Sequence, residues 1–224
     1  MKKVSDENTV SITQSITLAK IEATINSEGS DHLPTFGGTY EGGIQCQQCP
    51  DEFAQCIQAI IDSGLVINSY LEIGSAAGGS AFLINKFFHP AKIVLIDNNQ
   101  HPKAHIRDYI LRDVLREEII GNSHNQSTIE SLRRLGGNYN LMMIDGDHFY
   151  EGVKADVENY RQFLSDGGLL IFHDSVVGAP YGCYQVAQEL KQDKRWEIVG
   201  EFISETSTKC GILLLRKVGN VDEN

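Results

Sequence analysis

The stretch Tyr70-Leu71-Glu72-Ile73-Gly74-Ser75-Ala76-Ala77-Gly78-Gly79-Ser80 constrains this chain more than any other. Apolar Tyr70, Leu71 and Ile73 follow polar Asn68-Ser69 and predict a strand over about 69–74. Small residues then break the pattern, and Ala81-Phe82-Leu83-Ile84 predicts a helix over about 78–88. A strand that feeds a glycine turn and a helix N-terminus lets a ligand approach the backbone and meet unpaired N–H donors. The same small residues would also serve plain tight packing between strand and helix. The details narrow the ligand. A dinucleotide-binding turn reads G-x-G-x-x-G, but Ala76 stands where its second glycine belongs. An acid ends the strand instead, giving Glu72-x-Gly74-x-x-x-Gly78. A carboxylate there suits a ligand with a cationic part, which a pyrophosphate lacks.

The rest of the chain alternates in the same way. Pro50-Asp51-Glu52 predicts a helix start, and Phe53, Cys56, Ile57, Ile60 and Ile61 supply its apolar face. Lys92-Ile93-Val94-Leu95-Ile96 predicts a second strand that stops at Asp97-Asn98-Asn99. A long amphipathic helix is expected over about 104–117, with Ile106, Tyr109, Ile110, Val114 and Leu115 inward. Ile119-Ile120 reads as a short third strand before Gly121-Asn122-Ser123-His124, and a helix follows over about 126–135. Tyr139-Asn140-Leu141-Met142-Met143-Ile144 reads as the fourth strand and enters Asp145-Gly146-Asp147-His148. A helix over about 150–164 and the turn Asp166-Gly167-Gly168 lead to Leu169-Leu170-Ile171-Phe172, an apolar run suited to a buried parallel strand. That strand ends at His173-Asp174-Ser175; a helix over about 182–192 and two closing strands, 196–202 and 211–215, complete the series. Strands alternating with helices specify an α/β fold of three layers. Its sheet is Rossmann-like and mostly parallel, with an antiparallel C-terminal edge strand.

At 224 residues, 41% hydrophobic and 22% charged, the chain suits one such domain with a small extension. The formal net charge of −11, with no Lys/Arg run longer than a pair, disfavours nucleic acid or an anionic membrane as the main partner. A neutral or cationic small molecule fits better. Met1-Lys2-Lys3 is followed by Ser5-Asp6-Glu7-Asn8 rather than by an apolar run, and no segment nears transmembrane length, so the expected location is cytoplasmic. Five cysteines, an odd number, fit reduced thiols. Cys46-x-x-Cys49 with Cys56 nearby has the look of half a zinc site. No second pair follows at proper spacing, and Cys183 and Cys210 lie far along the chain, so packing thiols are expected. Residues 1–35 form a polar N-terminal arm, flexible or used in homo-oligomer contacts, in which Ile12, Ile16, Ile21 and Ile25 share helical spacing but a strand is also allowed. The glycine-rich stretch 36–45 is either a linker or a lid, opening a single domain over 36–218 that ends in a polar tail, 219–224.

In an open α/β sheet, ligands bind beyond the carboxyl ends of the strands. Five successive strand ends here carry Glu72 and Gly74, Asp97, Asn122 and Ser123, Asp145, and His173-Asp174. A lone Asp after a strand is ordinarily a turn or a cap; five polar ends on one edge exceed what capping alone explains. Asp97 can accept two ribose hydroxyls, the alternative being an Asx-turn within Asp97-Asn98-Asn99. Asn122 and Ser123 can meet an adenine edge or cap the next helix.

At this point the chain resembles the class I S-adenosylmethionine-dependent methyltransferases, whose first motif is an acid-x-Gly turn. The resemblance implies S-adenosylmethionine as cofactor, held around Glu72, Gly74, Ser75, Gly78, Asp97, Asn98, Asn122, Ser123 and Asp145. Ile144-Asp145-Gly146-Asp147-His148-Phe149-Tyr150-Glu151 and Gly167-Gly168-Leu169-Leu170-Ile171-Phe172-His173-Asp174 narrow it. Together they look like the subfamily related to cephalosporin-biosynthesis proteins and macrolide-sugar O-methyltransferases, and more distantly like catechol O-methyltransferase. In these relatives acids after the fourth and fifth strands hold magnesium, which implies Asp145 and Asp174 as Mg²⁺ ligands here. The macrolide-sugar enzymes have a carboxylate pair after the fifth strand, whereas this chain has His173-Asp174. Either the site is weaker, or another divalent metal is used, or His173 plays a supporting part.

His148, three residues after Asp145, matches the base of those relatives and can take a proton from an acceptor hydroxyl. His32, His89, His101, His105 and His124 are read as surface or packing residues, with a cofactor-edge contact open to His101. The resemblance covers about residues 45–215 and implies O-methyl transfer to a hydroxyl of a sugar or small natural product. Two other readings stand beside it: a cofactor-binding accessory protein of a biosynthetic pathway, and a nicotinamide-dependent oxidoreductase, against which Ala76 and Glu72 argue.

Overall fold

The runs Leu141-Met142-Met143-Ile144 and Leu169-Leu170-Ile171-Phe172 show no polar side chain to water on either face, so they require cover on both sides. The computed structural model describes residues 16–29, 43–178, 182–205 and 210–219 and supplies that cover. Helices α1 (Leu18–Glu28), α2 (Pro50–Asp62) and α3 (Gly79–Phe88) precede or flank β1 (Ser69–Ile73), and β2 (Lys92–Asp97) follows. Next come α4 (Arg107–Ile110), β3 (Glu117–Ile120), α5 (Gln126–Leu135), β4 (Tyr139–Ile144) and α6 (Tyr150–Tyr160). β5 (Leu164–His173), α7 (Cys183–Gln192), β6 (Trp196–Phe202) and β7 (Ile212–Lys217) close the series. The sheet order is β3-β2-β1-β4-β5-β7-β6; the first five strands in that order are parallel, and β7 runs antiparallel between β5 and β6. The three-layer, mostly parallel sheet is thus as expected. The antiparallel strand β7 sits one place in from the edge, which β6 forms.

Alternation along each strand divides the core. Tyr70, Ile93, Leu95, Leu141 and Met143 pack toward α1, α2 and α3. Leu71, Ile73, Val94, Ile96, Met142 and Ile144 pack toward α5, α6 and α7. Register puts the strand ends level: Ile73 pairs with both Ile96 and Ile144, and Ile144 with Phe172. Gly74, Asp97, Asp145 and His173 therefore reach one edge together.

Three expectations change. The helix expected over 104–117 is a 3-10 turn, Ala104–Ile106, and the single turn α4. Arg107 points inward and is buried, while Tyr109 and Leu115 are 71% and 90% exposed. Arg116 folds back onto the Leu111 carbonyl and ends the helical path, which frees Glu117 to begin β3. The strand expected to start at Leu169 begins at Leu164 and passes through the glycine pair with a register shift against β4. Part of the N-terminal arm is α1, whose Ile21 and Ile25 are fully buried in the core beside α2, so these two isoleucines are used within the chain. Ile12 and residues 36–42 of the lid lie outside the described residues.

If α1 is an integral part of the core, Ile25→Ala leaves a cavity and lowers unfolding free energy by about 2–5 kcal/mol. Urea denaturation reads this; an unchanged midpoint would mean that α1 is not docked in solution.

Candidate active site

Gly74 opens the site. Its φ of +88° suits glycine, and a Cβ there would lie 2.1 Å from the Asp145 carbonyl oxygen, so only glycine lets the turn after β1 sit against the start of the β4 loop. Ala76 also has positive φ, +43°, and is held from both sides. Its N–H donates to Asp97 Oδ2 (2.9 Å), and its carbonyl accepts from Arg107 Nε (3.1 Å). Arg107 also donates to Ser75 Oγ (3.1 Å), to Asp97 Oδ1 (3.3 Å) and, closely, to Asn99 Oδ1. One guanidinium thereby joins the glycine turn to the end of β2.

A cleft of about 400 Å³ lies over this edge, a size suited to a nucleoside-bearing ligand. Gly74, Asp97, Asn98, Asn122, Ser123, Asp145 and His148 line it, as do three residues the sequence reading left without a firm role: Gln47, His101 and His124. Glu72, Ser75 and Gly78 do not. Glu72 is fully buried beneath the turn, where the Ser80 hydroxyl donates to it. Ser75 is spent on Arg107, and Gly78 is the left-handed N-cap of α3. Asp97 forms the Asx-turn, accepting from Asn99 N (2.6 Å), and lines the cleft as well. With Ala76 N, Asn99 N and Arg107 on its oxygens, about one of a carboxylate's roughly four acceptor positions is left for a ligand. Asn122 accepts from His124 N (2.8 Å), and the N-cap of α5 is Asn125, not Asn122 or Ser123.

The second half of the site is a carboxylate–histidine group. His148 Nε2 lies 3.3 Å from Asp145 Oδ1 and 3.4 Å from Asp174 Oδ2, and ligand atoms of these three residues all lie within 4.8 Å of one another. His173 is buried behind them. Its Nδ1 donates to Asp145 Oδ1 (3.1 Å) and lies 3.6 Å from Asp174 Oδ1. Gln48 Nε2 donates to the other Asp145 oxygen (2.9 Å). Asp174 adopts φ +57°, and its buried Oδ1 has no hydrogen-bond partner among the described residues. A strained backbone and an unmet buried acceptor at one residue fit a bound cation there.

Charge is divided unevenly across the group. Burial alone would raise both carboxyls. At Asp145 it is outweighed by the His173 charge and by hydrogen bonds from both histidines, which hold this carboxyl well below the usual range. At Asp174 burial wins and the carboxyl is pushed up. The hydrogen bond to Asp145 raises His148, and Asp145 and Asp174 raise His173 against its burial. Asp156 of α6, buried and raised mainly by desolvation, braces the far wall: it accepts from Asp147 N (3.4 Å) and faces His124 Nε2 at 3.2 Å.

Residues 71–175 match the family model described as a methyltransferase domain. The uncharacterized protein R132 of Acanthamoeba polyphaga mimivirus is 25% identical over 112 residues, 47% of this chain and 51% of that protein. The chain thus spans about half the length of the curated relative it matches. The O-methyltransferase of Bacillus cereus in complex with SAH has a similar structure (TM-score 0.61, 11% identity, 89% of each chain). So does the N-methyltransferase NodS of Bradyrhizobium japonicum with S-adenosyl-L-homocysteine (TM-score 0.55, 16% identity, 73% of this chain and 84% of that one). The MycE methyltransferase from the mycinamycin biosynthetic pathway, in complex with Mg and SAH, aligns at TM-score 0.57 and 17% identity over 92% of this chain and 56% of its own. Identities this low speak for the fold, a Rossmann-like methyltransferase sheet. Among the described residues no helix is long and apolar enough to cross a membrane.

Arg107, Gln48 and Asp156 were not legible beforehand. Arg107 lay in a segment read as an ordinary amphipathic helix, and Gln48 and Asp156 belong to no motif.

Two outcomes follow. Arg107→Ala leaves Asp97 buried without its cation and costs on the order of 3–5 kcal/mol in urea denaturation at neutral pH; a loss within error would contradict the clamp. Glu72, raised by burial from its ordinary 4.5 to about 8, stabilises the fold fully below pH 4.5 and loses that contribution as pH rises to about 8. Glu72→Gln therefore gains on the wild type across that window, by up to about 1.4 kcal/mol per pH unit; parallel stability–pH profiles would rule this out.

Proposed function

We propose that this chain is an S-adenosylmethionine-dependent methyltransferase that transfers the methyl group to a hydroxyl of a small molecule, a sugar or natural product, with divalent-metal assistance. The observation that carries the reading is the junction of two half-sites on one sheet edge: the glycine turn with Asp97, and the Asp145–His148–Asp174 group. The methyltransferase-domain match over 71–175 and the fold of the SAH-bound structures support the first half. The net charge of −11 favours a small acceptor over nucleic acid.

S-adenosylmethionine supplies an electrophilic methyl group on a sulfonium. Gly74 admits it close to the backbone, and Asp97, fixed by Arg107 and Ala76, is the acceptor for its ribose. Asn122 and Ser123 stand at the cleft wall that an adenine would meet. Glu72 acts beneath the turn through Ser80 rather than on the ligand. Asp145 and Asp174, with His148 beside them, fit a divalent ion, and magnesium or a similar ion there would lower the pKa of an acceptor hydroxyl. His173 holds Asp145 and does not itself line the cleft, a supporting part. His148 stands at the open side of the group, and with Nε2–H donated to Asp145 it is the other ring nitrogen that takes the hydroxyl proton as oxygen displaces the sulfonium sulfur from the methyl carbon. Because the neighbouring carboxylates raise His148, its basic form is reached only as pH climbs past the usual imidazole range.

Calorimetry with S-adenosylmethionine, repeated with Mg²⁺ and with NAD, tests the cofactor. Asp97→Ala weakens binding about 10–100-fold, from the loss of a charge-assisted hydrogen bond. Binding of NAD in place of S-adenosylmethionine would overturn the reading. With hydroxylated acceptors, kcat rises with pH above neutrality. His148→Ala lowers kcat about 10²–10⁴-fold and removes the pH limb while leaving cofactor affinity intact. Tight cofactor binding with no transfer to any acceptor, and no effect of His148→Ala, would favour the accessory-protein reading.

A further inference from the structure

The two ring nitrogens of His173 face different groups. Nδ1 faces Asp145 and Asp174, whereas Nε2 lies 3.6 Å from Glu52 Oε1. Glu52 belongs to a second cluster. Its carboxylate and the thiols of Cys49 and Cys210 present ligand atoms within 4.8 Å of one another, and all three residues are buried. The sulfurs of Cys49 and Cys210 thus lie within 4.8 Å of each other. Three distant pieces of chain meet here: the amino end of α2, the end of β5 and the residue two places before β7. The sequence reading set Cys210 aside because it lies far along the chain, and the fold corrects that: antiparallel β7, paired with β5, returns Cys210 to Cys49.

We infer that Cys49, Cys210 and Glu52, with His173 Nε2 as the fourth donor, form a binding site for a divalent ion of the zinc class, which adjoins the Asp145–His148–Asp174 group because Asp174 also lies within 4.8 Å of His173 and Cys210. Two sulfurs, one carboxylate oxygen and one imidazole nitrogen match the donor types and number of a closed tetrahedral zinc site and not those of magnesium. Packing thiols explain buried sulfur, but they do not explain a carboxylate and an imidazole directed to the same place. Glu52 Oε2 and His173 Nε2 are both buried with no hydrogen-bond partner among the described residues, and a cation would satisfy both. Glu52 Oε1 is oriented by the Cys49 N–H (3.1 Å), so part of the donor set is preorganised by the capping box of α2.

Such an ion would have a structural task. Residues 43–49 run over the glycine turn: a Cβ on Gly79 would lie 2.6 Å from the Cys46 backbone. Gln47 reaches His101 (3.1 Å), and Gln48 reaches Asp145. A metal at Cys49 would fasten this strap to β5 and β7 at the point where it enters α2.

The test uses the full-length protein, kept reduced and loaded with Co²⁺. Expected is a sulfur-to-cobalt charge-transfer band that saturates at about one equivalent and is bleached by Zn²⁺. The band persists in His148→Ala, which dismantles only the other group, and in Cys46→Ser. It is lost in Cys49→Ser and in Cys210→Ser, whose circular dichroism reports folding. Where a cysteine variant does not fold, X-ray absorption on the Zn²⁺-loaded wild type decides, with two sulfur and two lighter neighbours expected. Absence of the band, a metal shell without sulfur, or a Cys49–Cys210 disulfide in the protein isolated under reducing conditions would overturn the site.

Discussion

The buried guanidinium of Arg107 fixes the geometry on which the rest of the site depends. It accounts for the carbonyl of Ala76, the hydroxyl of Ser75 and the carboxylate of Asp97 at once, and Arg107, Ser75 and Asp97 are all buried. Ala76 can keep a positive φ that alanine ordinarily avoids because its N–H and its carbonyl are both tied down. The turn therefore reaches a left-handed conformation without the glycine that a dinucleotide-binding turn uses. Asp97 gains from the same arrangement: a carboxylate held by a cation and two backbone N–H groups keeps one orientation at the cleft wall.

The far half of the site is governed by a balance of charge. Asp145, Asp174 and Glu52 surround His173, and His148 shares the first two of these carboxylates with it. Where no ion takes His173 Nε2, the protonated ring compensates buried carboxylates, and Asp145 benefits most, since it also accepts from His148 and Gln48. Asp174 is left with an unmet oxygen and a strained backbone. Two neighbouring carboxyls pushed in opposite directions are a recurrent property of sites that handle protons or cations. His148 sits at the exposed border of that group, where it can meet both a carboxylate and a substrate.

Periodicity along the chain carries the fold. Apolar runs at Leu141-Met142-Met143-Ile144 and Leu169-Leu170-Ile171-Phe172 demand a sheet covered on both faces, and helical spacing in 126–135 and 182–192 supplies covers of the right length. Parallel strands end on the same side, so Gly74, Asp97 and Asp145 were bound to share an edge once the strands were recognised. Tertiary structure alone decided the contacts that join loops. Arg107 turns inward because Ser75, Ala76 and Asp97 offer it acceptors, and that choice unmade the helix expected over 104–117. Glu72 went under the turn, since its place on β1 faces the α2 and α3 layer rather than the cleft. Cys210 meets Cys49 only because β7 inserts beside β5. A local pattern records which face of an element must be buried, whereas a polar side chain's partner across the chain depends on which loops the packed layers bring within a few ångströms.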